Sequence, residues 1–166
     1  MDDDRIARIM AQWKSERPDL EAADLVNMGL VGRVQRFAAE LRPRLDATHA
    51  ENGLAGESFD VLATLRRFGE PHEMTPTQLY THLMLSSGAM TNRIDRLEAD
   101  GFVERRADPN DRRGTLVHLT KKGKALIDRA LLPHVKNEAR ILSMLSADEK
   151  RQLNDLLRKI LIALES

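Results

Sequence analysis

Residues 75–123 decide the fold, and they read TPTQLYTHLMLSSGAMTNRIDRLEADGFVERRADPNDRRGTLVHLTKKG. Up to Gly101 the apolar residues recur every three or four positions, which predicts two helices, one beginning at a Thr75 cap and one at a Ser86 cap. After Gly101 the spacing falls to about two, which indicates two short strands joined by a polar turn at 108–111. This stretch therefore predicts the order helix, turn, helix and β-hairpin.

Helices are predicted on both sides of this stretch. The apolar spacing places them at about 3–14, 23–47 and 57–68 before it, and at about 121–145 and after Ser146 behind it. Pro43 is expected to kink or end the second of these helices, because proline lacks an amide donor. The fold class is therefore mainly α: a winged helix-turn-helix, with an α+β wing, between long flanking helices.

The charge of the chain is balanced overall but uneven along its length. The 26 basic and 26 acidic residues cancel. Residues 1–60 carry 8 basic and 12 acidic side chains, whereas 75–123 and 124–166 each carry 8 basic and 6 acidic ones. Residues 105–122 include six basic side chains, which favour contact with phosphate: Arg105, Arg106, Arg112, Arg113, Lys121 and Lys122.

Several classes of function find no support in the composition. The chain has no cysteine, its five histidines show no metal-ligand spacing, and the common catalytic and nucleotide-binding motifs are absent from the sequence. We therefore expect neither an enzyme nor a metal site nor a cofactor. The acidic start at 2–4 and the lack of an apolar run of about 20 residues favour a cytoplasmic protein without a membrane partner.

The motifs of 75–123 resemble those of the MarR family of bacterial transcription regulators. The likeness lies in TPTQL at 75–79, SSGAMTNRIDRLE at 86–98, GFVER at 101–105, and DPNDRRG at 108–114 leading to LTKKG at 119–123. The resemblance implies a homodimer whose first and last helices interlock. It also implies double-stranded DNA as a partner, in the form of a pseudo-palindromic operator.

Helical phase divides the predicted helix that follows Ser86 into two faces. At 100° per residue, one face holds Met90, Ile94 and Leu97, and the opposite face holds Thr91, Asn92 and Arg96. The second set offers hydroxyl, amide and guanidinium groups to base edges in a major groove. Ser86 and Ser87 lie at the helix start, where phosphate binds. For an isolated helix, a merely solvated face is the alternative interpretation.

The hairpin turn carries two further candidate residues for DNA binding. The resemblance matches Arg113 with an arginine that enters the minor groove, and Asp111 with the acid that orients it. A surface salt bridge within the turn is the alternative interpretation.

A second resemblance, to the urate-responsive branch of the family, covers much of the remaining chain. Its motifs are Trp13 followed by ERPDL at 16–20, and FDVLATLRR at 59–67. The resemblance implies a site for urate or a related purine at Trp13, Asp60, Arg67 and Arg93. Helical phase puts Asp60, Thr64 and Arg67 on one stripe and Arg93 beside the buried stripe of its helix. A planar, weakly acidic ligand suits indole stacking and bidentate guanidinium contact.

Alternatives to this effector site remain open. Asp60 and Arg67 can form a structural ion pair, and Trp13 can be a core anchor. The effector can be a phenolic compound or another small aromatic anion, and a ligand-independent DNA-binding protein would use the same fold without a pocket. Together the two resemblances divide the chain into an added N-terminal helix at 1–20, dimerisation helices at 21–56 and 121–166, and the winged helix-turn-helix DNA-binding region at 57–120, all within one intertwined domain.

Overall fold

The computed structural model describes residues 3–83 and 87–165, without the side chains of residues 87 and 112. It contains two compact units, Met1–Arg44 and Leu45–Ser166, which are described separately below. None of the helices in the described residues is long and apolar enough to cross a membrane.

In the first unit, helix α1 (Arg5–Glu16) packs against helix α2 (Ala22–Glu51) at two glycines. A Cβ at Gly32 would lie 3.4 Å from the Ile6 side chain, and one at Gly29 would lie 3.4 Å from that of Met10. Two helical glycines lower helix propensity, but here they allow the close approach of α1. The Asp4 carboxylate begins α1 by accepting from the amide of Ala7 at 2.7 Å.

Two helix ends differ from the predicted ones. Helix α2 ends at Glu51, four residues beyond the predicted end at 47, and Pro43 lies inside it, because a single missing amide donor leaves the remaining hydrogen bonds of a long helix in place. Helix α6 (Lys121–Ile141) stops four residues before the predicted end at 145. Its last turn gives way to a loop closed by hydrogen bonds from the amides of Leu142 and Leu145, and helix α7 (Ala147–Glu165) follows.

The core of the second unit lies around helix α3 (Gly56–Arg67), helix α4 (Pro76–Leu83) and helix α5 (Ser87–Ala99). Eleven side chains in it are almost completely buried: Val61, Leu62, Leu65, Met74, Leu79, Met90, Ile94, Leu97, Val103, Val117 and Ile127. The predicted inner face of α5 is confirmed, since all three of its apolar residues belong to this set.

A three-stranded antiparallel sheet completes the wing. Strand β2 (Val103–Asp108) and strand β3 (Asp111–Leu119) form the predicted hairpin, and β1 (Glu73–Met74) adds to the other edge of β3. The sequence did not predict β1, because two residues are too few to show a period. β1 leads directly into α4, whose predicted capping box is confirmed by hydrogen bonds between Thr75 and Gln78 in both directions.

Helix α6 packs closely against the junction of α5 and β2. A Cβ on Gly123 would lie 2.0 Å from the carbonyl oxygen of Phe102, so α6 begins directly against the main chain at the start of the wing. The Thr120 hydroxyl donates to the carbonyl of Gly101 at 2.8 Å and accepts from the amide of Gly123 at 3.0 Å. One threonine thus caps α6 and ties it to the end of α5.

Apolar side chains remain exposed on several helices. None of the described residues of α7 is buried, although that helix carries Leu153, Leu156, Leu157, Ile160, Leu161 and Leu164 along its length. Exposed apolar patches of this kind mark interaction surfaces.

We expect the substitution Gly123→Ala to lower the free energy of unfolding by about 3 kcal/mol, the upper end of the usual range for overpacking, because the new methyl group meets a backbone carbonyl. Gly88→Ala is the matched control, since Gly88 also lies in a first helical turn but a Cβ there would meet no atom of the described residues within 4 Å. We expect this control to be neutral or stabilising by up to about 1 kcal/mol. Urea unfolding followed by circular dichroism measures both, and equal stability of the two variants would contradict the role given to the junction.

Candidate nucleic-acid interface and ligand site

Helix α5 presents a polar face to solvent. Thr91, Asn92 and Arg96 are exposed, whereas the apolar residues on the opposite side are buried in the core. Exposed residues with hydroxyl, amide and guanidinium groups on one helix face are the arrangement by which a recognition helix reads base edges. Ser87 begins α5 but its side chain is not described, and Ser86 lies outside the described residues.

The wing turn is shaped by two carboxylates. Asp108 accepts from the amide of Asn110 at 2.8 Å, and Asp111 accepts from the amide of Arg113 at 2.9 Å. Asp111 therefore orients the backbone at Arg113, and the Arg113 residue is exposed at the turn. A Cβ at Gly114 would lie 2.9 Å from that of Asp108, so the turn requires glycine there.

The basic residues near the wing differ in availability. Arg105 pairs with Asp95 at 2.5 Å and with Glu98, both on α5, and its amide also donates to Glu98 at 2.8 Å. Burial opposes the charge of Arg105, but the hydrogen bonds to Asp95 and Glu98 outweigh it and raise the pKa of Arg105 above its ordinary value. Arg105 thus joins the wing to α5, a role that a count of charges along the sequence does not reveal.

Two further members of the basic set have protein partners. Arg106 pairs with Glu104 at 2.5 Å. The Lys122 ammonium donates to the carbonyl of Asp100 at 2.6 Å and lies 4.7 Å from the centroid of the Phe102 ring. Lys122 therefore satisfies the carboxyl end of α5. Arg105, Arg106 and Lys122 therefore already have partners within the protein, so fewer basic side chains are available to phosphate than the sequence suggests.

The four residues expected to bind an effector lie in both units. Trp13 belongs to the first unit and is 42% exposed, on a helix without a buried residue in the described part. In the second unit, Asp60 is half-buried and Arg67 is exposed near the end of α3. Seven residues separate the two, about 10 Å along a helix axis.

Thr64, which helical phase places on one stripe with Asp60 and Arg67, is only 3% exposed and belongs to the buried interior. Helix α3 is covered on more than one side, because the sheet, α5 and α6 all pack against it. Its position is also held by an ion pair between Arg66 and Asp128 of α6 at 2.7 Å, whose hydrogen bond lowers the pKa of Asp128.

Arg93 turns inward from α5 and meets an acid that the sequence did not single out. Its side chain is 15% exposed, and its guanidinium pairs with the Glu57 carboxylate at 3.3 Å. Glu57 lies in the first turn of α3, three residues before Asp60. Helical phase did not identify Glu57, because it is 36 residues from Arg93 and on a different helix.

A cleft of about 170 Å³ adjoins this ion pair. It lies between the loop at 53–55, the first turn of α3, helix α5 and the start of β2. Its lining includes Leu54, Glu57, Ser58, Arg93, Arg96 and Phe102. Two arginines and a phenylalanine are therefore among the residues that line one small space, and Arg96 belongs both to this lining and to the exposed face of α5.

Two histidines, between which the sequence showed no relation, are also in contact. His49 Nε2 lies 3.0 Å from His134 Nδ1, and the His49 ring stacks on Phe59 with centroids 4.1 Å apart. The described residues contain no group of three or more histidine, aspartate or glutamate side chains placed to hold a metal ion.

Comparison with known proteins places these features in context. Residues 56–115 match the profile of the MarR family. The chain is 39% identical over 155 residues to the HTH-type transcriptional regulator PecS of Dickeya dadantii, covering 93% of this chain and 92% of that protein. It is 39% identical over 127 residues to the multiple antibiotic resistance protein MarR of Escherichia coli, covering 76% and 81%. The crystal structure of a MarR mutant from E. coli complexed with operator DNA matches with a TM-score of 0.72 and 28% identity, over 90% of this chain and 97% of that one.

The helix face and the wing are expected to contribute differently to DNA binding. Arg113→Ala should weaken binding to all operators, most strongly where the minor groove is narrow and rich in A·T pairs. Asn92→Ala should relax the preference at particular base pairs by about 1 to 3 kcal/mol. Binding of both variants to a randomised operator library measures the difference. Identical sequence preferences and affinities for the two variants would contradict these separate roles.

Proposed function

This chain belongs to the MarR family of DNA-binding transcriptional regulators, and on that premise we propose that it is a repressor released from its operator by urate or a related purine. The observation that carries the proposal is the division of α5 into two faces. Asn92 and Arg96 are directed to solvent, while Arg93 of the same helix turns inward to a charged cleft. One rigid element thus carries groups suited to both partners.

DNA binding through α5 and the wing is supported by the exposure of the candidate residues. A recognition helix in the major groove and a wing arginine in the minor groove is the geometry that this fold permits. The relative from E. coli whose structure contains operator DNA has the same architecture. The proposed DNA-contacting set is Ser86, Ser87, Thr91, Asn92, Arg96, Asp111 and Arg113.

A homodimer is the proposed assembly, and the exposed apolar residues support it. Helix α7 in the second unit carries leucine and isoleucine residues that are 37–77% exposed among the described residues. In the first unit, Val26, Leu30, Val31, Val34 and Phe37 of α2 are exposed as well. A two-fold dimer buries such residues and presents two recognition helices to a pseudo-palindromic site.

We expect the dimer to bind an operator whose half-site centres lie about one helical turn apart. Its affinity should fall steeply with salt, because arginine and lysine contacts to phosphate release counterions. Titration of the intergenic region beside its own gene at several salt concentrations, together with sedimentation, measures both properties. A monomer at micromolar concentration, or a logarithmic salt slope near zero, would refute this part of the proposal.

The effector is proposed to engage Trp13, Asp60, Arg67 and Arg93. The resemblance to the urate-responsive branch, carried by Trp13 with ERPDL at 16–20 and by FDVLATLRR at 59–67, supports this set. A buried guanidinium such as that of Arg93 requires an anionic partner. Because Arg93 shares α5 with Asn92, a change of its partner affects the element that contacts DNA.

We expect urate to lower operator affinity, and by reciprocity the operator must weaken urate binding by the same factor. A coupling of roughly 1 to 3 kcal/mol is typical of such regulators. Trp13→Phe and Arg93→Ala should bind operator without ligand, at least in part, yet lose release by urate. Fluorescence of the single tryptophan should change on titration of the parent protein with urate. Equal release in parent and variants, without a fluorescence change, would refute the effector site and leave the DNA-binding function standing.

Another small aromatic anion is the second candidate effector, and the small size of the cleft favours it over larger ligands. A ligand-independent DNA-binding protein is the remaining alternative. The shift in melting temperature on adding urate, xanthine or a phenolic acid separates these cases, because a ligand that binds the native state raises it.

A further inference from the structure

We propose that Glu57 is the partner that Arg93 keeps in the absence of ligand, and that a small aromatic monoanion displaces it in the cleft between α3 and α5. The inference rests on the proposed function, in which Arg93 binds the effector. It adds to that function the residue with which the ligand competes, Glu57 in the first turn of α3, and the cleft in which it binds.

The unequal burial of the two ion-pair partners supports this exchange. The Arg93 side chain is 15% exposed, whereas that of Glu57 is 54% exposed. Arg93 is therefore the more buried partner, and Glu57 is the one that already lies largely in solvent. Because a largely buried charge needs a partner, the departure of Glu57 favours the entry of another anion.

The cleft has the size and lining for an aromatic ligand. Its volume of about 170 Å³ exceeds the roughly 150 Å³ that suffices to bind benzene in an apolar protein cavity. Leu54 and Phe102 supply apolar and aromatic surface, and Arg93 and Arg96 supply positive charge. Asp100 is also among the lining residues, and its negative charge disfavours ligands with more than one negative charge.

Arg96 gives the exchange a direct consequence for DNA binding. It lines the cleft and is also exposed on the face of α5 that is proposed to contact DNA. An anion between Arg93 and Arg96 competes with the operator for the second guanidinium. The coupling between the two ligands thus needs no displacement of α3, which the Arg66 to Asp128 pair holds in place.

Calorimetric titration of the full chain with urate, and separately with benzoate, tests the exchange. Removal of the competing charge in Glu57→Gln should tighten binding of the anion by about two- to fivefold, the range for one partly exposed ion pair. The urate concentration that releases the operator should fall by the same factor. Arg93→Gln should lose most of the binding. Glu51→Gln is the matched control, because Glu51 is exposed and lies outside the cleft, and it should bind as the parent does.

The outcomes separate this inference from the proposed function. If Glu57→Gln binds urate with the same affinity as the parent, or more weakly, Glu57 is not a competitor and the inference fails while the effector function stands. If the parent binds neither urate nor benzoate, both the effector function and the inference fail. Tighter binding in Glu57→Gln with benzoate alone supports the cleft and identifies a single-ring anion as its ligand, against the purine proposal. A merely structural role of Glu57 would not produce tighter binding in any titration.

Discussion

The contact between Gly123 and the carbonyl of Phe102 constrains the rest of the second unit. No side chain fits between them, so α6 begins directly against the main chain that leaves α5 and enters the wing. Thr120 adds hydrogen bonds to the carbonyl of Gly101 and the amide of Gly123, and Lys122 adds one to the carbonyl of Asp100. The end of α5, the start of β2 and the start of α6 are thereby held as one junction.

This junction gives α5 a defined orientation, and the orientation divides its side chains by function. Met90, Ile94 and Leu97 fill the core, and the opposite residues face solvent. Arg105 fixes the wing relative to α5, because its ion pairs with Asp95 and Glu98 connect β2 to that helix. A regulator of this family needs a fixed geometry between helix and wing, since both engage one DNA duplex.

The candidate site could be predicted only in part. Helical phase correctly separated the inward Arg93 from the outward Asn92 and Arg96, because all three lie on one helix and a period of 3.6 residues determines their directions. The partner of Arg93 could not be found in this way, since Glu57 lies 36 residues earlier on another helix. The same limit applies to the basic residues of the wing, whose acidic partners include residues on α5.

The sequence by itself determined the order of helices, the β-hairpin, the cap at Thr75 and the two faces of α5, because each of these depends on residues within a few positions of one another. Only the tertiary structure decided that Arg93 pairs with Glu57, that Thr64 is buried and that a cleft lies beside Arg96. These features arise where separate helices pack, and the spacing of residues along one helix carries no information about the side chains of another.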